Sequence, residues 1–185
     1  MTPILWIAYL VFWAAWAYPF LFRAPHKQKR KSVTARRATL VGLALELAAY
    51  SIAFMFYFPM NIPRNDLRIS VFLIFGPIAG ILAWTSVPHL GRQFRITAGL
   101  YEDHKLVTTG PYSVVRHPIY ASMLAILICT QSLLTPLRWA VVSLFLFVAG
   151  TEIRVRAEEA LLASRFGEAF QRYRKSVSAY IPFVR

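Results

Sequence analysis

Residues 118–152 read PIYASMLAILICTQSLLTPLRWAVVSLFLFVAGTE. No charged residue occurs from Pro118 to Leu137, and none from Trp139 to Thr151; Arg138 alone separates the two runs. A single helix over this stretch would be roughly 50 Å long at 1.5 Å per residue. That is too long for one crossing of a ~30 Å hydrocarbon core. Pro136 removes an interior helical hydrogen bond, so Thr135-Pro136 predicts a turn. The stretch is therefore expected to form a tight helical hairpin with arms at 118–134 and 137–152.

Three upstream runs have the same character. Met1 to Phe22 carries no charge, Ala38 to Pro63 carries only Glu46, and Ile69 to Gly91 carries at most a charge on His89. The first run lacks a basic start and an Ala-x-Ala-like site, and contains Trp6, Trp13 and Trp16. It reads as a retained anchor rather than a cleaved signal. The expected fold class is all-α: an integral membrane protein with about five transmembrane helices near 3–22, 38–60, 69–91, 118–134 and 137–152, and a cytoplasmic C-terminal helical region. The 185 residues are expected to form one domain.

The composition agrees. Hydrophobic residues make up 57% and charged residues 16%, with mean hydropathy +0.49 and formal charge +13. So apolar a chain is not disordered. Cys129 is the lone cysteine, which excludes a disulfide scaffold and a cysteine-ligated metal. No His-x-x-x-His or carboxylate cluster suggests zinc, so no metal is expected.

The position of the basic residues explains their number. Seven lie between the first and second helices (Arg23, Lys27, Lys29, Arg30, Lys31, Arg36, Arg37) and four between the third and fourth (Arg92, Arg95, Lys105, Arg116). Seven more follow the fifth (Arg154, Arg156, Arg165, Arg172, Arg174, Lys175, Arg185). Five crossings place these three segments on one side, leaving only Arg64, Arg68 and Arg138 opposite. The positive-inside rule then puts the amino terminus outside and the carboxyl terminus in the cytoplasm. The charge is chiefly a topology signal and attracts anionic lipid. Without an accompanying motif it does not indicate a nucleic-acid partner.

Two cytoplasmic segments carry the polar chemistry. In residues 91–120, Gly110-Pro111 marks a turn, and Pro118 suits the first turn of the fourth helix. Arg116 and His117 are either interfacial anchors or ligand-binding groups at a helix start able to hold an anion. Tyr112 and Tyr120 are either belt aromatics or pocket residues. His26 and His89 are expected at the interface or in solvent. Residues 152–175 read as a helix leaving the membrane, with Glu152/Arg156 and Arg154/Glu158 at i,i+4 spacing. Gly167 is expected to end it, a short helix to follow to about Lys175, and Ile181-Pro182-Phe183 to tuck back against the membrane. Glu46, if it faced lipid, would cost ~2.5–3.5 kcal/mol, so it is expected to face the bundle or lie near its cytoplasmic end.

The ordered series His104-Lys105-Leu106-Val107, Gly110-Pro111-Tyr112, Arg116-His117-Pro118-Ile119-Tyr120, Glu158-Glu159 and Phe166-Gly167 resembles the isoprenylcysteine carboxyl methyltransferase family. These integral-membrane enzymes are related to phospholipid methyltransferases. The resemblance covers roughly residues 75–183, leaving 1–74 as N-terminal helices. It implies S-adenosylmethionine as cofactor and a lipophilic or prenylated acceptor reached from the bilayer. It further implies that His104, Lys105, Leu106, Val107, Tyr112, His117, Pro118, Ile119 and Tyr120 line the cofactor. Glu158 would contact the cofactor and Arg154 the methyl acceptor, making these two the catalytic pair. Where eukaryotic members place a cofactor-contacting Gln, this chain has Thr97, with Gln93 a turn away.

Overall fold

The computed structural model describes residues 3–24, 32–55, 65–95, 99–101 and 103–182. Arg64, Thr97, Phe183, Arg185, residues 25–31 of the basic stretch with His26, and residues 56–60 of the expected second helix lie outside the described residues. Among the described residues the helices are α1 (Pro3–Tyr18), α2 (Arg36–Met55), α3 (Asp66–Leu90), α4 (Pro118–Leu134), α5 (Leu137–Phe166) and α6 (Glu168–Ser176). Pro3–Arg23, Arg36–Met55 and Asp66–Gln93 are long and apolar enough to cross a membrane, and α4 is a shorter apolar helix. Their outward side chains include Ile4, Leu10, Val41, Leu47 and Ile81, a surface suited to lipid.

Sequence sets the joints. Pro19 has no N–H to give Ala15, and the chain opens into a π-type turn over Pro19–Arg23. The indole N–H of Trp84 then donates to the Ala15 carbonyl at 2.7 Å. Trp13 and Trp16 donate to Thr130 Oγ1 at 3.1 Å and Ser122 Oγ at 3.2 Å, tying α1 to α4. Tyr9, Phe72, Ala79, Ile126 and Cys129 form the core between α1, α3 and α4.

The turn after Leu134 lies at Thr135-Pro136, as expected. Its arms are less closely paired than a tight hairpin implies, because α4 lies along α3 and α5 along α2. Glycine explains the second pairing. A Cβ on Gly42 would stand 2.6 Å from the Gly150 carbonyl oxygen, and one on Gly150 would stand 2.6 Å from the Gly42 oxygen. The arms still share side chains: Gln131 Nε2 donates to Ser143 Oγ at 2.8 Å, and Leu127 and Phe147 pack with Ala49 and Ala53. Gly42→Ala is expected to destabilise the protein by about 1–3 kcal/mol through overpacking, read as a lower unfolding temperature in detergent. Arg68 also has a local use. Its Nη1 donates to the carbonyls of Ser132 at 3.2 Å and Thr135 at 3.1 Å, oxygens that the end of α4 leaves without helical donors.

α5 runs unbroken from the apolar arm into the polar segment and stops at Gly167, whose φ of +52° favours glycine. After α6 the chain returns beneath α4. The backbone N–H groups of Arg116 and His117 donate to Ser178 and Ala179 carbonyls, both at 2.8 Å. Ala179 and Tyr180 turn inward and pack with Tyr120 and Val155, while Ile181 and Pro182, the last described residues, are exposed. One departure from an all-helical fold is a short antiparallel ribbon of β1 (Ser32–Thr34) and β2 (Gly99–Tyr101), with Val33 opposite Leu100. There two connecting segments satisfy their backbone groups by pairing.

Candidate functional site

Parts of α1 to α5 converge on a cavity of about 290 Å³, together with residues 93–95, 99–100, 104–107 and 112 of the connecting segment. His104, Lys105, Leu106 and Val107 line it from the connecting segment. Tyr112, His117, Ile119 and Tyr120 line it around the start of α4, and Arg154 and Glu158 line it from α5. Pro118 is the exception among the residues named from sequence: it occupies the first turn of α4 and is buried there, outside the lining. Gln93 lines the cavity.

A chain of alternating charge crosses this site. Arg154 pairs with Glu46 on α2, whose other oxygen accepts from Thr151 Oγ1 at 3.1 Å. The Arg154 guanidinium sits 4.9 Å from the centre of the Tyr120 ring, a cation–π arrangement. The Tyr120 hydroxyl donates to Glu158 Oε1 at 2.7 Å. His117 stands between the glutamates, Nδ1 3.4 Å from Glu158 Oε2 and Nε2 3.3 Å from Glu159 Oε1. Glu159 also accepts from Arg116 Nε at 2.9 Å and Nη2 at 2.7 Å, and Arg174 Nε lies 3.4 Å from it.

This geometry fixes protonation. Ionised carboxylates only accept, so a histidine facing one through each nitrogen carries two protons. Burial opposes that charge on His117, but the hydrogen bonds and charges of Glu158 and Glu159 outweigh it and raise its pKa. Burial likewise favours neutral glutamates. The His117 and Tyr120 contacts and the Arg154 charge nevertheless hold Glu158 below the usual range, and His117 and Arg116 hold Glu159 down at about 2. His104 behaves oppositely: burial, then the Arg95 charge, lowers its pKa against Asp103 and Glu158. Its ring is therefore neutral near pH 7.

The structure decides between alternatives that the sequence leaves open. Arg116 is 4% exposed and is a buried tie to Glu159 rather than an interfacial anchor. Just ahead of α4, the backbone N–H groups of Arg116 and His117 are taken up by the returning C-terminal segment. Tyr112 and Tyr120 are buried pocket residues rather than belt aromatics. His89 bonds Thr109 Oγ1 at 3.0 Å and stacks on Tyr112.

Comparison with known proteins matches the model of the isoprenylcysteine carboxyl methyltransferase (ICMT) family to residues 70–164. The chain belongs to the isoprenylcysteine carboxyl methyltransferase family. It is 39% identical over 84 residues to the protein-S-isoprenylcysteine O-methyltransferase of Schizosaccharomyces pombe, covering 45% of this chain and 35% of that one. To the probable protein-S-isoprenylcysteine O-methyltransferase of Oryza sativa subsp. indica it is 34% identical over 117 residues, covering 62% and 59%. The chain thus spans between about a third and three fifths of the length of these curated relatives. A solved structure of the eukaryotic intramembrane Ras methyltransferase ICMT aligns over 100% of this chain and 54% of that one, with TM-score 0.42 and 19% identity.

The ICMT match begins in α3, yet part of the cavity comes from outside it. Trp16 of α1, Phe20 of the Pro19–Arg23 turn and Leu43 of α2 line it, and Phe170 and Tyr173 of α6 line it too. The i,i+4 spacing of Trp16 and Phe20 just before the basic stretch was the available signal for the first two. The amphipathic sequence of α6, with Phe170 fully buried, was the signal for the last two.

Proposed function

We propose that this ICMT-family chain transfers a methyl group from S-adenosylmethionine to the carboxylate of a lipophilic acceptor, a prenylcysteine-like C-terminal carboxyl. The observation that carries this reading is one cavity lined by two chemically different sets of residues. Trp16, Phe20, Leu43, Leu90, Ile119 and Met123 come from apolar helices, while His104, Lys105, His117, Arg154 and Glu158 are polar or charged. Such a lining suits a polar cofactor together with a lipid-tailed acceptor. The cofactor also fits an unmet need of the protein: His104 Nδ1 is buried without a hydrogen-bond partner among the described residues.

His104 through Val107, Gln93, Tyr112 and Ile119 would hold the cofactor. Glu158, kept ionised by its neighbours, would accept from its hydroxyl or ammonium groups. Pro118 would act only by starting α4 where His117 and Tyr120 face Glu158. When bound, S-adenosylmethionine supplies an activated methyl group on a cationic sulfur. Displacement at that carbon requires the acceptor oxygen in line, and alignment alone contributes up to ~7–11 kcal/mol. Arg154 would orient a carboxylate through charge-assisted hydrogen bonds. A carboxylate acceptor is already anionic and needs no general base.

The membrane arrangement completes the reading. With five spans, the positive-inside rule would put eighteen of the 21 basic residues, and the cavity, on the cytoplasmic side, with the amino terminus outside. The test is transfer of labelled methyl in detergent to an S-prenylated cysteine with a free carboxyl or to phosphatidylethanolamine. Label in a base-labile ester of the first is expected. Label only in the amine of the second makes the protein a phospholipid methyltransferase, and no label in either removes this reading.

A further inference from the structure

Glu46 is the acidic residue in the α2 run, and nothing in the transfer chemistry above uses it. It is 1% exposed, lies outside the cavity lining, and is held from behind by Thr151 Oγ1 at 3.1 Å. Its second oxygen pairs with Arg154, which does line the cavity and is itself 5% exposed. The pairing is built into the helix contact. Gly42, one turn before Glu46, has no side chain, and the Arg154 stem lies across it where α2 and α5 meet.

Charge accounting gives this pair a purpose. In the transfer, a bond forms between the acceptor oxygen and the methyl carbon. The carbon–sulfur bond breaks, and its electron pair stays on sulfur. No proton moves. The acceptor passes from a carboxylate to a neutral ester, and the sulfur loses its positive charge. Were the acceptor the sole counter-ion of Arg154, each turnover would leave a bare guanidinium in a buried site, an unfavourable state.

We infer that Glu46 is a positioning residue, the standing counter-ion of Arg154, which keeps the guanidinium directed over Tyr120 and neutralised when the acceptor carboxylate becomes an ester. This rests on the methyltransferase reading above. An incoming carboxylate must share Arg154 with Glu46, so acid and ester bind with similar strength. The ester leaves without abandoning a buried cation. Glu46 thereby trades acceptor affinity for turnover.

The test measures binding of an S-prenylated cysteine and of its methyl ester by calorimetry in detergent, together with methyl transfer. Wild type is expected to prefer the acid over the ester by tenfold or less. Glu46→Gln keeps the shape and removes the charge. It is expected to bind the acid at least tenfold more tightly, to bind the ester within threefold of wild type, and to lower kcat and KM together. Glu46→Asp restores the charge and should return acid affinity toward wild type. A structural role alone would not tighten acid binding, so unchanged or weaker acid binding in Glu46→Gln overturns the inference. If that variant does not fold, the wild-type ratio decides, because a preference for the acid above tenfold overturns it equally. Wild-type methyl transfer with unaltered binding in Glu46→Gln removes only the role of Glu46. Absence of both transfer and acid binding in wild type removes the methyltransferase reading, and this inference with it.

Discussion

Arg116→Ala is expected to destabilise the protein by about 3–5 kcal/mol, the range for removing one partner of a buried ion pair. Arg116 places two nitrogens on Glu159, and its Nη1 donates to the carbonyls of Arg174 and Val177. Truncation strands a carboxylate that is 4% exposed and two carbonyls of the returning C-terminal segment. His117 and Arg174 would still face Glu159, but Arg174 is partly in solvent. Arg116→Lys should recover little, since one ammonium cannot reproduce the guanidinium fork. Chemical unfolding in detergent measures the loss. Faster proteolysis within 168–182 would locate it in the segment that Arg116 holds. The same pair sets acid sensitivity. Because Glu159 is held down at about 2, its contribution is complete above the ordinary glutamate range. It disappears as pH falls toward 2. His117 has the opposite sign: its raised pKa gives a contribution present below its ordinary value and lost as pH rises through the raised one. Stability should therefore decline on both sides of a plateau, and Glu159→Gln should flatten the acid side.

Whatever depends on local sequence was legible. The charge-free runs gave the helices, Pro136 the turn, Pro118 the start of α4, and Gly167 the end of α5. The Glu152–Arg156 pair also followed from spacing and forms at 2.8 Å, on the exposed surface where such pairs matter least. The consequential pairs were not legible. Arg116 and Glu159 are 43 residues apart, and Arg154 and Glu46 are 108 apart. No periodicity links positions on different helices. Only the packing of α5 on α2 through Gly42 and Gly150 brings Glu46 to Arg154. The divergence of the hairpin arms was hidden for the same reason: apolar sequence says that a helix is buried, and not against which neighbour.

Glu158→Ala should lower cofactor affinity at least tenfold while changing stability far less than Arg116→Ala. Glu158 lines the cavity, and its side chain is 25% exposed, so water replaces part of what truncation removes. Its loss acts on the site in two ways. It deletes a charged acceptor, and hydrogen bonds to charged groups contribute about 1.5–3 kcal/mol, a ten- to hundredfold change in binding. It also releases Tyr120, whose hydroxyl is anchored on Glu158 at 2.7 Å and whose ring lies beside Arg154. Glu158→Gln keeps an acceptor for that hydroxyl and removes the charge, so its deficit isolates the electrostatic part. Tyr120→Phe keeps the ring and removes the anchor, isolating the positional part. Binding of S-adenosylmethionine by calorimetry, with unfolding measured in parallel, separates these effects from misfolding. Near-wild-type affinity in Glu158→Ala would take Glu158 out of the cofactor site and leave it as a prop for Tyr120 and His117.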